Sequence, residues 1–198
     1  MTISQPASTG RWRTVDIVLG AVLAVAFGAV FQAWNLLWSA TLPAFAAVAP
    51  LQGFMYGVWL LPAVLVPLVI RRPGAALLGE GVAAVASVLF GAPWGLLIVV
   101  YGLVQGGAAE IVFAMGLYRR WGLPTAVLAG AAAGAAAALL DLVLFYPSWA
   151  AGFQVIYAAL VIPSAAIVAG LGGWLLVRAL VRTGVLSAFP AGREQPEV

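Results

Sequence analysis

Polar residues interrupt this chain only at long intervals. Between them run six apolar stretches, at about residues 15–38, 51–70, 74–90, 95–118, 123–146 and 150–180. None alternates with a period of two over ~10 residues, as the strands of a transmembrane barrel do. Each is long enough, or nearly so, to cross ~30 Å of hydrocarbon at 1.5 Å per residue, the third being shortest. The pattern predicts an all-α polytopic membrane protein with six transmembrane helices in one bundle. It divides the chain into a cytoplasmic N-terminal segment (1–14), a six-helix membrane domain (15–182) and a cytoplasmic C-terminal tail (183–198).

The positions of charge orient the bundle. All nine basic residues are arginines. Arg11 and Arg13 precede the first span, Arg71 and Arg72 follow the second, and Arg119 and Arg120 follow the fourth. Arg178, Arg182 and Arg193 end or follow the sixth. With six spans every cluster falls on one side, and the connections near 39–50, 91–94 and 146–149 carry no arginine. This positive-inside pattern places both termini in the cytoplasm, and five spans would break it. The stretch Ile17–Trp38 exceeds the ~7–15 residues of a signal-peptide core, so it is expected to be a retained helix.

Composition narrows the chemistry. Hydrophobic residues make up 65% of the chain and charged ones 8%, against about a quarter in soluble domains. The net charge of +3 comes from arginines in short connections between apolar stretches, which excludes a nucleic-acid reading. There is no Cys and no His, which removes disulfides, thiol nucleophiles, imidazole bases and the usual zinc or haem ligands. Gly170-Leu171-Gly172-Gly173 follows no strand and is not a nucleotide loop. Neither a metal nor a cofactor is expected, and an enzyme is disfavoured.

Three carboxylates stand well inside apolar stretches, away from their ends by more than a residue or two: Glu80, Glu110 and Asp141. An acid near a helix centre costs ~2.5–3.5 kcal/mol to insert, so such residues point to function. Glu80 lies about 12 Å and Glu110 roughly 14 Å from the cytoplasmic face, on antiparallel helices, so a shared cavity is expected. One turn before them come Leu77 and Ala76, Gly107 and Gly106, and, before Asp141, Ala138 and Ala137. Mostly small neighbours on the same face let a helix or ligand approach. Two buried anions repel unless a cation or a strong hydrogen-bonding group sits between them. The outer connections carry Trp34, Trp38, Trp94, Tyr146 and Trp149, which read either as an interfacial belt or as a binding mouth. Gly53/Gly57, Gly102/Gly106 and Gly130/Gly134 mark close helix contacts. These features describe a receptor or transporter for a small cationic or nitrogen-heterocyclic solute. A proton-coupled carrier and an intramembrane hydrolase are the rival classes.

Tyr56-Gly57-Val58-Trp59, "RRPGAALLGE" (71–80), "GAPWG" (91–95), "YGLVQGGAAE" (101–110) and "TGVL" (183–186) together resemble the YkoE family over essentially the whole chain. Its members are substrate-binding S components of energy-coupling-factor (ECF) ABC transporters, linked to thiamine and its hydroxymethylpyrimidine precursor. The resemblance implies a six-helix S component in the bacterial cytoplasmic membrane, with a transmembrane coupling subunit and ATPase subunits as partners. It implies thiamine or hydroxymethylpyrimidine as ligand, or another cationic or heterocyclic solute in the same role. By position in the matching stretches it marks Glu80, Glu110, Tyr56, Trp59, Trp94 and Gln105 as ligand-binding residues, with Asp141 and Tyr146 beside them. It assigns the small-residue stripe Gly20, Ala24 and Gly28 to partner docking, although the alanine-only spacing of other S-component groups is not reproduced. The chain departs from the family pattern at Ser87, on a face of helix three where a second acid can stand.

Overall fold

The structure, a computed structural model, describes residues 12–193. Arg11 therefore lies outside the described residues, as do most of segment 1–14 and the last five residues of the tail. The first pass is α1, Thr14–Phe45. The chain reverses at Val48, where the backbone leaves the helical region, and returns through a tight 3₁₀-type stretch, Ala46–Leu60, into α2, Leu61–Ile70. Then come α3 (Ala75–Leu89), α4 (Leu97–Met115) and α5 (Leu123–Leu144). The sixth pass is α6 (Ala151–Ala165), a widened π-type stretch (Ala166–Gly172) and α7 (Gly173–Arg182). Pro163 precedes the π-type turns, and a proline inside a helix removes one backbone donor. The six expected spans are present, and no strand occurs among the described residues.

α2 is the centre of the bundle. Every residue from Pro62 to Ile70 is buried, enclosed by α1, α3, α5 and α7. A helix apolar on all sides can face lipid or sit inside protein, and the packing here selects the second.

Glycines set the helix spacings. A Cβ on Gly102 would stand 2.6 Å from the Ala84 Cβ, and one on Gly106 2.9 Å from the Ala76 carbonyl oxygen, so α4 lies directly on α3. Gly130 and Gly134 bring α5 equally close to Ala165 at the end of α6, and Gly53 seats the 3₁₀ stretch on Tyr157 and Val161. The stripe Gly20, Ala24 and Gly28 belongs to this internal packing, which corrects its assignment to partner docking. All three are buried. A Cβ on Gly28 would meet the Ala86 Cβ at 2.5 Å, and one on Gly20 the Leu78 side chain at 2.8 Å. The stripe therefore faces α3 and offers no outward surface.

The cytoplasmic end is tied by polar contacts. Asp16, fully buried, accepts hydrogen bonds from the Arg13 backbone N–H (3.0 Å) and guanidinium (2.7 Å) and lies 3.5 Å from Arg72. The Trp12 indole N–H donates to the Pro73 carbonyl (3.0 Å). After α7 the chain folds back, burying Leu186, Phe189 and Ala191, and the described residues close with the short helix α8 (Pro190–Arg193) against α2.

Candidate functional site

A cavity of about 230 Å³ occupies the outer half of the bundle, walled by α1, the 3₁₀ stretch, α3, α4 and the end of α5. Of the eight expected ligand-binding residues, seven line it: Glu80, Tyr56, Trp59, Trp94, Gln105, Asp141 and Tyr146. Glu110 does not.

Glu110 caps a helix instead. Its Oε1 accepts from the Gly74 N–H at 2.6 Å and its Oε2 from the Ala76 N–H at 2.9 Å. These belong to the first turn of α3, where backbone donors have no partner within the helix. A carboxylate also suits the positive end of the helix dipole. The motif glycine has its own reason here: Gly74 sits at φ +85°, in left-handed backbone that a side chain would strain. The expected cavity shared by Glu80 and Glu110 is therefore not formed. The small residues beside Glu110 admit the start of α3, not a ligand.

Glu80 forms the floor. It is 1% exposed, and its Oε2 accepts the Ala63 backbone N–H at 2.9 Å. Gly102 and Gly106 make this placement possible: a Cβ at 106 would lie 3.0 Å from the Glu80 Cβ, and one at 102 3.0 Å from its carbonyl oxygen. Any larger residue at either position would push α4 off α3 at the level of the acid.

Asp141 enters from α5, on the other flank of α4. Its Oδ1 accepts from the Tyr101 hydroxyl at 2.7 Å and its Oδ2 from the Tyr157 hydroxyl at 2.6 Å. These lengths fall in the range of charge-assisted O–H···O bonds. Tyr101 lines the cavity, and with its proton directed at Asp141 a lone pair of its oxygen remains to accept from a ligand. The Gln105 amide donates to Tyr56 at 3.4 Å. This wall is rich in acceptors and suits a ligand rich in donors or positively charged.

Aromatic rings complete the enclosure. Trp59 is central, with ring centroids 5.0 Å from Trp38, 5.2 Å from Tyr56 and 6.0 Å from Trp94. Its indole N–H donates to Asn35 Oδ1 at 2.9 Å, which fixes the ring plane. Tyr146 stacks on Trp149 at 4.0 Å. The outer aromatics divide by position: Trp38, Trp94 and Tyr146 line the cavity, while Trp149 braces Tyr146 and Trp34 donates to the Met55 carbonyl (2.9 Å). Faces of Trp and Tyr around a confined space favour a cation.

Sequence reasoning did not single out Phe31, Asn35, Ser87, Tyr101 or Phe145 as binding residues, yet all five line the cavity. Tyr101 had a readable signal, since it opens the "YGLVQGGAAE" stretch four residues before Gln105, one turn along the same face. Asn35, with Gln32 three residues before it, is one of two amides in an apolar span and could have been flagged as Glu80 was. Phe31 and Phe145 carry no signal that separates them from lipid-facing phenylalanines.

Residues 15–136 match the family model of the permease component of an ABC-type cobalt transport system. The chain is 33% identical over 184 residues to a Bacillus subtilis (strain 168) protein named as an HMP/thiamine permease, YkoE, with 92% of each chain covered. A crystal structure of an S component of an ECF transporter superposes with a TM-score of 0.88 and 32% identity over 93% of each chain. The chain belongs to the YkoE family of ECF-transporter S components, the membrane-embedded substrate-binding subunits of these importers.

Proposed function

We propose that this S component captures thiamine or hydroxymethylpyrimidine from the outer face and passes it to a coupling subunit driven by ATPase subunits. The observation that carries this reading is the cavity itself, where two carboxylates on different helices, Glu80 and Asp141, stand among Trp38, Trp59, Trp94 and Tyr146. A thiazolium is a permanent cation that cannot shed its charge by losing a proton, so it requires carboxylates or aromatic faces. An aminopyrimidine offers the N–H donors that the phenol oxygens and Glu80 can accept. Binding and handover make no covalent demand on the chain, and the subunit acts without catalytic residues.

Cobalt, the cargo in the family model's description, is not favoured by the donor set. The sequence has no His or Cys, and no cluster of three metal-ligating residues occurs among the described residues. Titration of thiamine and of hydroxymethylpyrimidine into the purified protein, followed by calorimetry, tests the proposal. Saturable one-to-one binding of at least one of them is expected. Failure of both, with a thermal shift from some other vitamin in a panel, would transfer the role to that solute.

A further inference from the structure

Ser87 differs from the other polar residues of the cavity. It lines the wall, is 1% exposed, and its Oγ has no hydrogen-bond partner among the described residues. By contrast Asn35, Trp59, Tyr101 and Asp141 are joined by hydrogen bonds to protein groups. A helical serine commonly returns its hydroxyl to the carbonyl one turn back. For Ser87 that acceptor would be the Ala83 carbonyl, and the bond is not formed. Burying a hydroxyl without a partner is unfavourable, and an alanine would fill this wall without that cost.

Position adds to the argument. Ser87 and Glu80 share one face of α3, seven residues apart, which is about 10.5 Å along the axis. Glu80 marks the floor. Ser87 lies near the outer end of α3, as Asp141 lies near the outer end of α5. The cavity therefore has polar groups at an inner and an outer level, with Ala84 and Gly102 between them.

We propose that Ser87 is a specificity-determining residue whose hydroxyl bonds a neutral heteroatom of the solute at the outer level while Glu80 meets the inner end. The two levels favour a solute with polar groups at both ends, and so two-ring thiamine over single-ring hydroxymethylpyrimidine. This inference rests on the reading of the cavity as a thiamine or hydroxymethylpyrimidine site.

The test is a calorimetric titration of both compounds into wild type and Ser87→Ala, with thermal unfolding of each protein without ligand. Thiamine affinity is expected to fall about fivefold to tenfold, the worth of one hydrogen bond. Hydroxymethylpyrimidine should lose less. The ligand-free melting temperature should stay level or rise, because the substitution removes an unsatisfied buried group. Unchanged thiamine affinity overturns the inference, and so does a parallel loss of affinity and ligand-free stability, which marks a packing role. Equal losses for both compounds overturn the two-level arrangement. Wild type that binds neither compound overturns the solute assignment and this inference together, whereas tight wild-type binding with an unaffected variant overturns this inference alone.

Discussion

Replacing Glu110 by alanine and Glu80 by glutamine separates two acids that look alike in sequence. Glu110 holds two backbone N–H groups of the first turn of α3, at 2.6 and 2.9 Å. A hydrogen bond to a charged group contributes about 1.5–3 kcal/mol. The full sum of two is not reached, because Glu110 is 8% exposed and water from the cytoplasmic side can reach part of the gap. A loss of about 3 kcal/mol follows. At about 2–4 °C per kcal/mol for a chain of this length, the melting temperature should drop by about 6–12 °C. Solute affinity should change little once the protein is held below its transition. Glu80→Gln should do the opposite: the amide oxygen can still accept the Ala63 N–H, so stability is nearly kept. Loss of the charge should weaken binding about 10- to 100-fold. Differential scanning fluorimetry and calorimetric titration on the same preparations give both readouts. If Glu110→Ala abolishes binding without lowering the melting temperature, Glu110 belongs to the site and the capping argument is wrong.

Asp141→Asn keeps an acceptor for one phenol but removes the charge, and should weaken binding of a cationic solute at least tenfold while a neutral pyrimidine is less affected, as titration would show. Gly102→Ala places a methyl group 2.6 Å from the Ala84 Cβ and should cost about 1–3 kcal/mol in thermal stability together with affinity. Gly152→Ala, with nothing within 4 Å of the added Cβ, should leave both unchanged. Gly28→Leu should destabilise the isolated S component, measured by thermal unfolding without any partner, because the side chain would enter the α1–α3 contact; an unaltered melting temperature would return this stripe to the surface.

Much of the fold was legible because lipid imposes a one-dimensional rule. Crossing hydrocarbon demands a length of apolar chain, and the arginines must stay in the cytoplasm. The six spans, their orientation and the unusual status of Glu80 and Asp141 follow from those two constraints. The rule is silent about which way a helix faces, because lipid tails and protein interior are equally apolar. The burial of α2 on all sides, and the turning of Gly20, Ala24 and Gly28 toward α3, needed the packed bundle.

The same reason explains the acids. Glu80 and Glu110 have similar depth, small neighbours and matching motifs, and the sequence by itself determined that both must be paired with something. It could not say with what. The partners of Glu110 are backbone N–H groups at Gly74 and Ala76, which every residue but proline carries and no side-chain pattern marks. Only the tertiary structure, by laying α4 against the start of α3, assigned one acid to hold a helix and left the other, with Asp141, to face the cavity.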